Sequence, residues 1–482
     1  MDGAPRVACV TPCRRVEGRS VTTVDGLPDD VRERWVQAFV DTGASQCGFC
    51  TPGILMRLAG AEARRPELDE HTVGTALAAH LCRCTGWRSI YDAVAVASGQ
   101  LPAGGGRDLV AAGRRATLEG GTPQVVGPDV VLGRAGFADD TAPRDALVAV
   151  PDGAGVWAVA DTLAAARVAA GKVQGRNSTV ALRHPLDLPH GEFPLTLRTT
   201  FVEPAYLEPD ASWCAPGGDP AGPLANGGAF GGKRTSVAAD VARRLADEHG
   251  RPVRVLLARE DVVRLGPKRP PVACAVADDG TGVVRVARTP GSDLTGWAEA
   301  LHAGAGPDLV LAVEEVAVPG PPVSTDLRAA GWAEGAVLAA AFAARRAGRV
   351  GPGVPVTVTS PDGAVATVAM DGAGAVSVRV AAGAVLDAVV LRSYVLGAVH
   401  QALGWVRREG VAVDEEGRVL DLTIRSFGVL PARDMPHVEV VMEDTEGPPV
   451  RAGDAVFAAT AAAAWLAAGL APDWPLDRGG SR

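Results

Sequence analysis

The chain has 482 residues, a formal net charge of −9 and 47% hydrophobic residues. That length accommodates two to four domains with a sizeable core, and the hydrophobic fraction excludes an intrinsically disordered chain. The acidic balance argues against nucleic acid as the main partner, because nucleic acid selects a basic face.

At the N-terminus, "MDGAPRVACVTPCRR" holds no apolar run behind basic residues, so no secretory signal is expected. Residues 1–97 read as mostly helical. "DDVRERWVQAFVDTGA" puts Val31, Trp35, Val36, Phe39 and Val40 on one helical stripe, with Asp30 and Glu33 spaced as a capping box. "TPGILMRLAGAEA" offers Thr51 as N-cap and Pro52 as the first helical residue. "LDEHTVGTALAAHL" and "SIYDAVAVA" supply two more helices, so a small four-helix bundle is expected.

Residues 98–124 begin with the Gly- and Pro-rich "SGQLPAGGGRD" and read as a linker. Beyond it, short strands and helices mix. "AVATVAM" and "AVSVRVA" alternate as two strands joined by a turn, while "AVLAAAFAARRAG" and "RSYVLGAVHQALGW" read as helices. The most apolar segment, "AVFAATAAAAWLAAGLAP" (455–472), falls just short of a membrane span and ends in Pro, so a buried helix is expected and no membrane span. The chain reads as cytoplasmic. A reducing compartment disfavours disulfides and turns clustered cysteines toward metal or redox chemistry. It also leaves the sequon at Asn177 without meaning.

Cysteines occur at 9, 13, 47, 50, 82, 84, 214 and 274. Four of them form C-x2-C, a 31-residue gap, then C-x-C. C-x-C is too tight for an ordinary zinc knuckle, and a thioredoxin-type dithiol has a βαβ context and no second pair. Thiolates from two helix-flanking loops suit an iron–sulfur cluster better than zinc. Cys50 precedes a helix, whose free N–H groups favour an anionic cluster. Cys13, Cys214 and Cys274 have no partner at useful spacing and read as buried thiols.

"QCGFCTPGILM" followed by "HLCRCTGWRSIYDAV" resembles the helical [2Fe–2S]-binding domain of the molybdenum hydroxylases, the xanthine dehydrogenase/aldehyde oxidase family. The resemblance implies that Cys47, Cys50, Cys82 and Cys84 ligate a [2Fe–2S] cluster. It also implies that Gln46 and Cys84 lie against molybdopterin, although Gln46 on its own reads equally as a surface amide. "DGAPRVACVTP" resembles the end of the ferredoxin domain that normally precedes this bundle, with Cys9 at its last cluster ligand; the other three would precede Met1, so no second cluster is expected from this chain. A misassigned start is one explanation.

"ANGGAFGGKRTS" admits two readings. Gly227 to Lys233 fits G-x4-G-K, but Arg234 stands where a phosphate loop has Ser or Thr, and no strand precedes it. The loop is also similar to the family's "GGxFGGK" loop. Its glycines bring backbone N–H groups close to an anionic cofactor and Phe230 walls the pocket, so Gly228, Phe230 and Gly231 are implied as cofactor-binding. "PPVSTDLRAAG" resembles a cofactor-side loop with Arg328 at its arginine. "GAVHQALGW" resembles a pterin-binding helix with Gln401 at its glutamine. "RAGDAVFAATAAAA" resembles the segment carrying the catalytic glutamate, here Asp454. Asp keeps the acid–base function but is one C–C bond shorter, about 1.5 Å; a displacement near 1 Å lowers a rate about a hundredfold. Read alone, Asp454 is equally a helix-capping aspartate at the surface.

The resemblance therefore implies an α+β chain. It comprises an N-terminal four-helix [2Fe–2S] bundle (1–97, with a ferredoxin remnant at 1–25), a linker (98–124), a first molybdenum-subunit domain fragment (125–187) and a shortened mixed α/β molybdopterin-binding region (188–482). Arg234, where purine-oxidising relatives have a carboxylate, and Ala330, where relatives often have an aromatic, depart from the pattern. The far-side pterin loops are not found. Two functions stand at this point. One is a molybdenum hydroxylase acting on a heterocycle or aldehyde, passing electrons to a flavin subunit or other acceptor and sharing its pterin site with a second molybdenum chain if one exists. The other is an iron–sulfur electron-transfer or assembly module with a degenerate molybdenum domain.

Overall fold

The computed structural model describes residues 1–65, 67–153, 155–172, 181–222, 228–420 and 422–478, the side chain of Cys9 excepted. Four helices open the chain: α1 (Asp29–Thr42), α2 (Thr51–Glu62), α3 (Glu70–Ala76) and α4 (Arg88–Ala97). α1 presents Trp35, Val36, Phe39 and Val40 inward and packs on α4, as its 3.6-residue spacing requires. The caps differ from expectation. Pro28 holds the N-cap position of α1, so Asp30 lies inside the helix, and Cys50 rather than Thr51 precedes α2. α3 is shorter than its pattern and stops at Ala76, after Asp69 has capped it through Thr72 N–H.

The linker stretch contains a helix, α5 (Leu109–Gly120). Asp108 accepts from the N–H groups of Val110 and Ala111, and Gly121 closes the helix in the left-handed conformation. Single turns α6 (Pro128–Val131) and α7 (Ala138–Thr141) follow.

Among the described residues the remainder builds three four-stranded sheets. The first has the order β2–β1–β5–β4, from β1 (Leu147–Pro151), β2 (Trp157–Ala160), β4 (Asp210–Cys214) and β5 (Val253–Leu257). It is covered by α8 (Leu163–Ala169) and α9 (Ala238–His249), and α10 (Arg259–Leu265) follows β5. The second has the order β3–β6–β7–β8, from β3 (Leu195–Arg198), β6 (Val272–Val276), β7 (Thr281–Arg288) and β8 (Val310–Ala317). The third has the order β12–β11–β10–β9, from β9 (Val356–Thr359), β10 (Val365–Met370), β11 (Val376–Ala381) and β12 (Val438–Glu443). β10 and β11 are the alternating segments of the sequence and pair antiparallel. Each sheet mixes one parallel pair with antiparallel ones.

Four further helices complete the chain: α11 (Trp297–Ala305), α12 (Trp332–Arg346), α13 (Ala388–Arg407) and α15 (Gly453–Ala467), with the single turn α14 (Ile424–Phe427) between the last two. α15 is the Ala-rich segment, and its small side chains let it pack closely on α13, α12 and β10. Trp405 stacks on Phe457 with ring centres 5.3 Å apart and meets Trp474 edge-on at 4.9 Å. No helix among the described residues is long and apolar enough to cross a membrane. One continuous apolar core runs from Trp35 and Trp87 in the N-terminal helices to Trp465 and Trp474 near the end.

Candidate functional site

α13 joins the cysteine loops to Arg328, which lines the central cavity. Ser393, Gly397 and Gln401 recur every four residues and therefore share one helical face. At the first position, Gln46 Nε2 donates to Ser393 Oγ (3.0 Å) and to the carbonyl of Cys84 (3.0 Å), and Ser393 Oγ donates to the carbonyl of Gly43. Gln46 is buried, so the surface-amide reading of it fails. At the second, a Cβ on Gly397 would stand 2.0 Å from the carbonyl oxygen of Cys84, an approach only glycine permits.

Cys47, Cys82 and Cys84 are buried and Cys50 is partly exposed. The thiols come as two pairs, Cys47 with Cys84 and Cys50 with Cys82. Hydrogen bonding within each pair, then burial, pushes the Cys50 and Cys84 thiols well up. Cys82 is drawn down to about 6, first by its contact with Cys50 and, against burial, by Thr85, whose Oγ1 lies 3.1 Å from its sulfur. Four crowded thiols cannot all ionise without a cation among them. Among the described residues no three His, Cys, Asp or Glu side chains gather around a single ion. A set of four cysteine thiols fits a [2Fe–2S] cluster, which these four residues would hold. Cys13 is exposed, not buried as expected, whereas Cys214 and Cys274 are buried.

Arg83, between the last two cysteines, anchors this loop to the rest of the chain. Its guanidinium donates from Nε to the carbonyl of Pro204 (2.9 Å) and from both terminal nitrogens to Glu409. Both partners are buried.

Beside α13 lies a cavity of ≈ 300 Å³, lined by Phe230, Arg234, Arg328, Tyr394, Arg451 and Asp454 among others. Ala229, Phe230 and Gly231 take positive φ in succession, which turns the loop sharply. A Cβ on Gly231 would fall 1.8 Å from the carbonyl of Asp326. Arg328 ties the parts together. Its N–H donates to Phe230 O (3.1 Å), its Nη1 to Gln401 Oε1 (2.8 Å), and its Nε is 3.5 Å from Asp454. Burial pulls its pKa down, against the attraction of Asp454 and Glu119. Asp454 starts α15 and its second oxygen lies 3.4 Å from Arg451; it is buried, so it is no surface cap.

Gln401 Nε2 and Tyr394 Oη are buried with no hydrogen-bond partner. Because Arg328 holds the Gln401 oxygen, its nitrogen is left as a donor. Tyr394 lines the cavity with the three guanidiniums, and Gln401 lines a small void of ≈ 30 Å³ that shares Phe230 and Arg328 with it. Orphan donors and guanidiniums so placed suit an anionic ligand rich in acceptors, as molybdopterin is.

Glu119 was not singled out in the sequence. It reaches the cavity from α5 and accepts from the N–H groups of Ala452 (3.0 Å) and Gly453 (3.1 Å), at the start of α15, while Arg115 Nη2 donates to it (2.6 Å). The signal was an i,i+4 Arg–Glu pair, which reads as a solvated helix face. The phosphate-loop reading fails. Lys233 is buried against the carbonyl of Pro209, 3.9 Å from Glu208 and 5.0 Å from the ring of Tyr206, so its ammonium is already engaged. Gly227, the first glycine of that motif, lies outside the described residues, as does Asn177.

Residues 23–95 match the [2Fe–2S] binding domain family. Over 101 residues, 21% of this chain, it is 41% identical to the nicotine 6-hydroxylase small subunit of Paenarthrobacter nicotinovorans, covering 61% of that protein. Over 87 residues, 18% of this chain, it is 44% identical to xanthine dehydrogenase of Emericella nidulans, covering 6% of that protein. The chain thus spans less than two thirds of the length of these curated relatives. Among solved structures, the aldehyde oxidoreductase of Desulfovibrio gigas shares its fold at 15% identity, with a TM-score of 0.68 over 98% of this chain and 92% of that one. That of Desulfovibrio desulfuricans gives 0.67 at 14% identity over 96% and 91%. The fold is therefore the α+β architecture of an aldehyde oxidoreductase joined to an iron–sulfur domain. Residues 23–95 therefore belong to the [2Fe–2S] binding domain family, and the chain as a whole has the fold of these aldehyde oxidoreductases.

Proposed function

We propose that the chain is a molybdenum hydroxylase-type oxidoreductase that hydroxylates a heterocycle or aldehyde and passes the electrons out through a [2Fe–2S] cluster on Cys47, Cys50, Cys82 and Cys84. The observation that carries this reading is the α13 stripe, which meets the cysteine loop through Ser393 and Gly397 and, through Gln401, holds Arg328 on the cavity wall. In it, residues 1–97 act as a four-helix iron–sulfur bundle with a ferredoxin remnant at 1–25, residues 98–124 as a linker reinforced by α5, residues 125–187 as a first molybdenum-subunit fragment, and residues 188–482 as the pterin-binding region. The cytoplasm suits free thiols.

Molybdopterin, when bound, supplies a metal that takes two electrons from the substrate carbon as that carbon gains an oxygen from water. Gln401 Nε2 and Tyr394 Oη donate to acceptors on the cofactor, and Arg328 offers it positive charge from behind Gln401. Gly228 and Gly231 let the loop backbone approach. Gln46 fixes the Cys84 carbonyl, and with it the cluster edge facing the cofactor. Phe230 walls the substrate pocket. Asp454 accepts the proton released from the attacking water, held by Arg328 and Arg451. A flavin subunit or other acceptor takes the electrons onward, and a second molybdenum chain completes the pterin site if one exists.

Asp454→Asn tests the assignment. In protein produced with the cofactor and screened against aldehydes and nitrogen heterocycles, it is expected to lower kcat/KM about 10²–10⁴-fold while leaving iron content unchanged. Unchanged turnover removes Asp454 from the reaction. One observation favours the second reading, an electron-transfer or assembly module: Glu119 already occupies the N–H groups beside Asp454. Iron without molybdenum and without turnover supports that module.

A further inference from the structure

A groove of ≈ 720 Å³ opens beside the second cysteine loop, at His80 and Leu81. Arg408, Arg425, Arg433 and Arg478 line it, with His80 and Asp477. In a chain of net charge −9 this is a concentrated basic patch. Among the described residues two aspartates stand close to these arginines. Asp434 is shared by Arg408 (2.5 Å) and Arg433 (3.4 Å), and Asp477 is also paired with Arg407 (3.2 Å). Among the described residues Arg425 makes no ion pair.

The groove is firmly attached to the cluster domain. Leu81 forms part of its wall and is the residue before Cys82. The opposite wall, Gly428 to Pro431, is tied down at Leu430, whose carbonyl accepts from Trp87 Nε1 (2.9 Å) and meets His400 Nε2 (2.9 Å). Arg425 and Arg433 are exposed, and Arg408 and Arg478 are half-buried. Guanidiniums that stay hydrated around an open groove steer a large charged partner more effectively than they capture a small ion.

We propose that this groove docks an acidic iron–sulfur electron-carrier protein, which takes electrons from the cluster. This rests on the cluster reading above. One electron passes from the reduced cluster to the oxidised carrier, and no bond or proton moves.

The probe is an acidic plant-type [2Fe–2S] ferredoxin, mixed in stopped flow with the dithionite-reduced, full-length protein after the excess reductant is removed. The second-order rate is expected to fall at least about tenfold between about 20 and about 300 mM salt. In R425E/R433E at low salt it is expected to fall by a similar factor, about tenfold or more. Oxidation by a neutral quinone should not change, which excludes damage to the cluster. An equal ferredoxin rate in the variant overturns the proposal. So does inorganic phosphate or duplex DNA binding that the variant abolishes while the ferredoxin rate stands. A colourless, iron-free preparation would instead sink the cluster reading. Ferredoxin binding by titration then decides the docking surface: loss in the variant supports it, and equal or absent binding overturns it.

Discussion

A Cys84→Ala variant is expected to lose its visible charge-transfer bands and to drop from about two irons per chain to a small residue. The fold should survive. The contacts that Cys84 makes to the rest of the protein run through its carbonyl, which accepts from Gln46 Nε2 and packs on Gly397, and alanine keeps that carbonyl. What goes is one thiol of the pair Cys47–Cys84, and with it one of the four proposed cluster ligands. Far-ultraviolet circular dichroism should be unchanged. The same substitution at Cys214, buried in the first sheet away from these loops, should leave iron and colour intact. Equal iron in both variants would contradict the ligand assignment.

Arg83→Ala is expected to destabilise the protein by about 3–5 kcal/mol, because it strands Glu409 as a buried carboxylate. Glu409 has little room to escape to water. Its side chain lies against Gly404, where a Cβ would stand 2.0 Å from its oxygen. Burial already pushes its pKa up, and Arg83 is what opposes that shift. The loss should appear as a lower urea midpoint at neutral pH. Acidification should recover part of it, since protonating the stranded carboxyl removes the buried charge. Arg83→Leu combined with Glu409→Leu should recover most of the loss, as two apolar groups replace a buried pair at little net cost. A single-variant loss below about 1 kcal/mol, the size of an exposed pair, would contradict the burial of this contact. The Arg83 variant should also release iron more readily, because Arg83 stands between Cys82 and Cys84, two of the proposed cluster ligands.

The parts of this architecture that the sequence discloses are local. C-x2-C and C-x-C with their flanking helices are read directly, since ligand spacing and helical period act over a few residues. α13 and α15 stand out through apolar content, and β10 and β11 through strict alternation across a short turn. The parts that escaped depend on distant partners. β11 lies parallel to β12 although more than fifty residues separate them, and no local pattern encodes that register. α5 was hidden because the preceding Gly and Pro dominated the stretch, although Asp108 and Gly121 mark both of its ends. Glu119 was hidden for a different reason: only the tertiary fold turns an ordinary Arg–Glu helix pair inward, onto the first turn of α15. Thr51 and Asp30 are common capping residues displaced by Cys50 and Pro28, a shift of one or two residues that propensity does not resolve.

The central claim is that one chain holds an iron–sulfur cluster on four cysteines beside a cavity built for a molybdenum cofactor. It is tested most directly by metal analysis with an absorption spectrum, on full-length protein purified anaerobically from a host that makes molybdopterin. About two irons per chain with charge-transfer bands in the visible are expected, together with stoichiometric molybdenum. Zinc in place of iron, in protein never exposed to air, would contradict it.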